Sequence, residues 1–323
     1  MAGIFTIAKK ELLDIFSERK FLLIFATLLI VVLVSTFQGA LNYASSQSTT
    51  GEPGRPGGQG GQGGGGLILF GGARGLSQAL GSMVTNFSLV GGVLALAISF
   101  DTINGERQSG SMKTLLSYPI YRDKIVFGKY LGGLMAVATV SVITFLCGVG
   151  IFTGFSGLAM SIDTILRLVL FFFVTLIYMA IFLAIGLLIS IVMPQPSTSL
   201  LTAMIVWLAS TQLIPNVGYA IAQILRPVRF SFSNGTPSFS SPAGFETIRT
   251  IISALSPSQC YESIVSNILT TSRLQFSEGA PVSVSISLGQ ALLTSLPYMI
   301  YFAGLLIAIF AAAYVLFMRQ EVR

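Results

Sequence analysis

FDTINGERQSGSMKTLLSYPIYRDKIVFGKY, residues 100–130, is the stretch on which the fold turns. It carries Asp101, Glu106, Arg107, Lys113, Arg122, Asp123, Lys124 and Lys129, and it lies between two apolar runs. Elsewhere charge is scarce. Only 9% of the 323 residues are charged and 53% are hydrophobic, whereas a soluble domain is about 25% charged. A passage this polar in so apolar a chain needs water, and the runs beside it need a bilayer.

Working outward, residues 82–100 and 130–155 read as the second and third of six membrane spans. The others are 21–39, 165–193, 197–214 and 292–318, near or above the ~20 residues that cross a hydrocarbon core. Pro194-Gln195-Pro196 makes a short turn between the fourth and fifth, and Pro215 is expected to end the fifth. The expected fold is therefore an all-α polytopic membrane protein. Residues 1–20 form an amphipathic N-terminal elbow helix: Ile4, Phe5, Ala8, Leu12, Ile15 and Phe16 recur at helical spacing, with Lys9, Lys10, Asp14 and Glu18 on other faces. A signal peptide is the rival reading, but the segment has charges of both signs and no small-x-small cleavage site.

Residues 40–81 make an outer loop, with a glycine-rich heart at 51–66 (GEPGRPGGQGGQGGGG) and a short helix after it. The glycines have neither the strand before them nor the Lys after them that a phosphate loop needs, so they read as linker. Residues 215–291 form a small, mainly helical external cap. Segments 217–225, 245–255 and 261–269 have apolar residues at helical spacing, and 229–233 alternates like a short strand. Residues 319–323 are the tail. Lys and Arg are densest at residues 9–20, in the 101–129 loop and in the tail. That places both termini and the loop in the cytoplasm of a multi-pass cell-membrane protein, with Asn234-Gly235-Thr236 outside as a candidate glycosylation acceptor.

Several chemistries are excluded. The net charge of +6 fits basic residues flanking spans beside anionic lipid, not nucleic acid. There is no His and only two Cys, Cys147 and Cys260, so no metal site and no catalytic constellation can be drawn. The span interiors lack ionisable residues, which argues against ion-coupled transport. Gly105 and Gly110 have phosphate-loop spacing, but Ser111 and Met112 follow where Lys and Ser or Thr are needed. If ATP drives this chain, a different polypeptide binds it.

The 101–129 loop suits the contact with such a partner. Residues 103–116 can form one or two helical turns along the membrane. Glu106, Arg107, Gly110, Ser111, Lys113, Leu115, Leu116, Pro119 and Arg122 are the candidate docking residues: charged groups, an apolar knob, bends and a stop. The same charges also fit an ordinary solvated loop. Asn86, Ser88, Thr202, Thr211 and Gln212 are candidates for lining a transport pathway, although hydroxyls in spans also pack helices and bond backbone.

The sequence resembles a known family at this point. KKELLDIFSERKF before the first span, and the 101–129 loop, are similar to the corresponding parts of the membrane subunits of type-2 ABC transporters. The likeness is greatest to permeases of nitrous-oxide-reductase maturation and of sodium or drug efflux. The matching positions are Glu106, Arg107, Gly110, Ser111, Leu115, Leu116, Pro119, Arg122, Ile125, Gly128 and Lys129, with Leu255-Ser256-Pro257 before the last span. The resemblance implies a coupling helix in the loop and an ABC ATPase subunit that binds ATP and Mg, this chain binding no cofactor itself. It also implies a second permease, identical or similar. The expected function is ATP-driven export of a hydrophobic or amphipathic drug, lipid or peptide. The alternative is mechanical transmission to an external protein partner with no cargo crossing.

Overall fold

The computed structural model describes residues 2–48, 76–110, 122–156, 161–227, 229–233, 236–240, 244–277 and 280–319. Among the described residues, six helical stretches are long and apolar enough to cross a membrane: Phe21–Leu41, Leu80–Ser109, Asp123–Phe155, Ile162–Val192, Pro196–Leu225 and Leu288–Arg319. Their outward faces carry large apolar side chains, such as Leu23, Ile205 and Ile307. That pattern suits a lipid solvent.

Helix α1 (Ala2–Ser17) stops at Glu18, and α2 (Arg19–Ser48) starts at once. One face of α2, with Phe21, Leu28, Val32, Thr36 and Ala40 at helical spacing, is buried. The second span is composite. Helix α3 (Leu76–Asn86) runs through a π-helical turn (Phe87–Gly91) into α4 (Gly92–Ser99). A short turn then leads to α5 (Asn104–Ser109), which Gly110 ends with a left-handed φ of 76°. Residues 111–121 lie outside the described part, so the expected helical turns over 103–116 are described only as far as Gly110.

Helix α6 (Arg122–Ser156) begins inside the expected loop. Charge at Arg122, Asp123 and Lys124 ends the apolar run but not the helix, because polar residues are tolerated in a helix that leaves the bilayer. Helix α7 (Ile162–Val192) is the central one, capped by Ser161 Oγ accepting from the Thr164 N–H. From Tyr178 to Leu187 only Ile185 is not fully buried. A methyl group at Gly186 would overlap Ser99 Oγ, so the bare Gly186 leaves room for the Ser99 side chain where α4 packs on α7.

The fifth span departs from expectation. Helix α8 (Pro196–Leu208) continues through a second π-helical turn (Ala209–Leu213) into α9 (Ile214–Leu225). Pro215 does not end it. The Ile214 N–H reaches back five residues to Ala209 O, and Pro215 falls in the first turn of the new helix, where its missing N–H is tolerated. Residues 215–225, expected in the cap, therefore extend the span.

The cap itself holds α10 (Phe245–Ser253), α11 (Pro257–Leu269) and two antiparallel hairpins, β1 (Arg229–Ser233) with β2 (Thr236–Ser240) and β3 (Ser272–Ser277) with β4 (Ala280–Ser285). The hairpins add strand to a helical protein. Helix α12 (Leu288–Arg319) closes the bundle. Its last turns place Ala313 and Phe317 beside Ile103, Val126, Leu187 and Ile191, so both chain ends lie at one face of the bundle.

Candidate functional site

The turn from Phe100 to Gly110 is fastened on several sides. Ser190 Oγ, in the last turns of α7, accepts from the Ile103 N–H (2.9 Å) and the Asn104 N–H (3.2 Å). It donates to Asn104 Oδ1. Ser199 Oγ of α8 donates to Phe100 O. Arg107 Nη1 donates to Ile191 O (3.3 Å), one of the carbonyls left open at the end of α7.

The strongest tie is Lys129, 3% exposed at its side chain. Its ammonium sits 2.9 Å from Glu106 Oε1 of α5 and 3.1 Å from Glu11 Oε2 of α1. One cation thus holds three helices. Gly132, one turn on, lets α1 come close: a Cβ there would lie 2.7 Å from Glu11 Cβ and 2.9 Å from Ala8 O. Burial pushes the Glu11 carboxyl above the usual carboxylate range, against the pull of Lys129.

Of the candidate docking residues, Glu106 and Arg107 direct their charges into the chain, and Gly110 provides the stop. Arg122 is the first residue of α6. Ser111, Lys113, Leu115, Leu116 and Pro119 lie outside the described residues. Gln108 and Ser109 are exposed on α5.

The five candidate pathway residues do not form one lining. Asn86 Nδ2 donates to Ser82 O, Thr202 Oγ1 to Thr198 O and Thr211 Oγ1 to Trp207 O, each within its own helix. Gln212 is exposed, and its backbone carbonyl accepts from Asn216 Nδ2. Ser88 is buried in the first π turn.

Tyr178 and Ser258, which sequence reasoning passed over, join the two π turns. Tyr178 of α7 donates to Ser88 O, so its one proton is committed. Ser258 Oγ, 3.2 Å away, must then donate to Tyr178, and Ser210 Oγ, 3.3 Å further, must donate to Ser258. Ser256 Oγ closes the chain by donating to Ser210 O. The π geometry frees such carbonyls from the normal ladder, and the hydroxyls satisfy them. The common element is the start of α11. Ser256 is its N-cap, accepting from the Gln259 N–H, and Pro257 is its first residue. The sequence signal was Leu255-Ser256-Pro257-Ser258, a capping pattern before an apolar run.

Helix α11 is too short to cross a bilayer, yet Tyr261, Ile264, Val265, Ile268 and Leu269 are fully buried. Tyr261 stacks on Tyr178 at 4.5 Å and shares a hydrogen bond with Thr175. Burial also pushes the Glu262 carboxyl up, while hydrogen bonds from Ser88 and Gln259 pull it down. Arg167 holds the other end of α11. Its guanidinium, 1% exposed, donates to Ile268 O (2.6 Å), Thr270 O (3.0 Å), Ile286 O (2.8 Å) and Asp163 Oδ2 (2.7 Å).

These features define a polytopic helical membrane protein whose cap sends one short helix into the bundle and whose opposite face carries a charge-locked turn. The chain belongs to the ABC-2 family of transporter proteins, whose family model matches residues 5–322. It is thus a membrane component of an ABC transport system. A search of curated proteins gave no match.

Proposed function

We propose that this chain is the permease subunit of an ATP-driven exporter of hydrophobic or amphipathic molecules. A separate ABC ATPase, which binds ATP and Mg, docks on the 101–129 loop from the cytoplasm, where both termini lie. α1 then serves as the elbow helix and α5 as the start of the coupling helix. A second permease, identical or similar, covers the fifth span: 11% of the most apolar stretch of that span is buried, against 61% in α7. Covering so exposed a face would also extend the cargo path along the subunit boundary.

The observation that carries this reading is the bridge from Lys129 to Glu11 and Glu106. A push on α5 reaches α1 and α6 through it, and reaches α7 through Ser190 and Arg107. The loop is built to pass on displacement generated elsewhere.

A cysteine at Ser109, in a Cys147→Ser background, tests the docking claim. It is expected to cross-link to the ATPase in the assembled complex, whereas a cysteine at Asn216 is not. Equal cross-linking at both positions, or none at Ser109, overturns it.

The alternative, mechanical transmission to an external partner, draws support from α11. It ties the cap to both π turns, so motion of the spans would reach the cap with no cargo crossing. ATP-dependent movement of a lipid or peptide in a reconstituted complex favours export. Nucleotide-dependent exposure of the cap without such movement favours the alternative.

A further inference from the structure

The fifth span carries two amides on its exposed side. Leu201, Ile205, Leu208, Gln212 and Asn216 recur at three- and four-residue spacing and are all exposed, so they follow one face. Gln212 and Asn216 lie one turn apart, near the middle of the 30-residue stretch Pro196–Leu225. Gln212 stands in the second π turn, whose Ser210 is met by Ser256 and Ser258 from inside the bundle. That level is hydrocarbon, where a polar group without a partner is costly.

Exposed polar side chains on the other spans are provided for. Thr27 and Thr139 bond within their own helices, to Leu23 O and Met135 O. The exposed amides Gln38, Gln108 and Gln290 stand near the ends of their spans. Gln212 differs: its side-chain amide makes no hydrogen bond among the described residues. Asn216 spends one N–H on Gln212 O (2.7 Å) and keeps its carbonyl oxygen and second N–H. Whatever covers this face must be apolar over most of its length and offer donors and acceptors at this one level. Residues 196–225 hold no Asp, Glu, Lys, Arg or His, so no charge selects an unlike partner. An amide is both donor and acceptor, so it pairs with its own copy.

We propose that this face is the seam of a homodimer, with Gln212 and Asn216 each hydrogen-bonded to its own counterpart in a second copy of this chain. Two copies inserted the same way are related by an axis along the membrane normal, which sets each residue level with its counterpart. Interhelical amide bonds then satisfy the polar groups that lipid cannot. The inference rests on the paired-permease reading and chooses the identical partner over a similar one.

The test uses the purified full-length chain in phosphatidylcholine vesicles, with donor- and acceptor-labelled copies mixed and diluted in lipid. Energy transfer between them reads the dimer fraction. The parent is expected to dimerise. Gln212→Leu with Asn216→Leu is expected to weaken the dimer about tenfold, the scale of one or two interhelical amide bonds. Thr139→Leu, exposed on α6, leaves it unchanged. Gln212→Lys copies are expected to repel one another, and Gln212→Glu copies added to them to restore pairing, because the unlike charges meet only if residue 212 faces its counterpart. All variants are expected to keep the parent's helix content. Dimers indifferent to the leucine pair, or no recovery in the Lys–Glu mixture, overturn the seam; the paired-permease reading then stands, since the copies still associate. A parent that stays monomeric overturns self-pairing. Activity gained only with a second, different permease would then keep the paired reading, and activity of a single permease with its ATPase would overturn that reading as well.

Discussion

Two buried cations hold the two faces of this bundle, and they do it differently. Lys129 binds only side chains, a carboxylate on α1 and another on α5. Arg167 binds mostly backbone: two carbonyls at the end of α11 and one before α12, with a single, half-exposed carboxylate. An ammonium is a compact charge on a flexible stem, whereas a guanidinium is a rigid fork. The first arrangement lets helices shift while staying tethered. The second fixes a short helix in register. The face that carries the Phe100–Gly110 turn is tethered, and the cap is clamped.

Lys129→Met should have the largest effect. It leaves two carboxylates near each other without their cation, and breaking a buried pair costs about 3–5 kcal/mol. Thermal unfolding of the purified chain measures it. Adding Glu11→Gln and Glu106→Gln should recover much of the loss. A single variant as stable as the parent breaks the tether half of the comparison.

Arg167→Met should come next and should act locally. It takes one donor from each of three carbonyls, and each loss falls near the low end of about 1–3 kcal/mol because a carbonyl keeps a second lone pair for another partner. Hydrogen exchange should rise across residues 257–287 while residues 178–187 stay protected. Exchange rising equally in both would mean that the clamp supports the whole bundle.

Tyr178→Phe should be smaller, about 1–2 kcal/mol, because it removes a donor to Ser88 O and one link between the π turns. The smallest effect is at Glu262. Its folded carboxyl titrates above its unfolded value, so its contribution is present below the unfolded value and lost as pH rises through the folded one. Glu262→Gln should therefore gain stability at neutral pH relative to the parent, and the gain should vanish in acid. A gain that grows in acid contradicts the desolvation cause.

Much of the architecture was readable because a bilayer imposes length and apolarity on each span. Arg229–Ser233 was readable as a strand from its alternation. The β3–β4 hairpin was missed, although Ser283-Val284-Ser285 alternates as plainly. What escaped depends on distant partners. A π turn is set by what satisfies its freed carbonyls, and Ser210 finds Ser256 and Ser258 only once α11 is inserted. Pro215 read as a stop because the turn that accommodates it was unseen. Arg167 is the third residue of the span read at 165–193, but its carbonyl partners lie about a hundred residues away in sequence. Glu106 and Arg107 stood out as a charged motif, and their intramolecular partners, Lys129 and Ile191 O, did not.

In the proposed function an ATPase drives this chain through the 101–129 loop. The most direct measurement is ATP hydrolysis by the assembled complex, with Lys113→Ala, Leu115→Ala and Leu116→Ala combined in the loop. The account predicts that the parent permease raises the ATPase turnover, and that the triple variant returns it to that of the free ATPase while melting at the parent's temperature. Undiminished stimulation by a folded triple variant would contradict it.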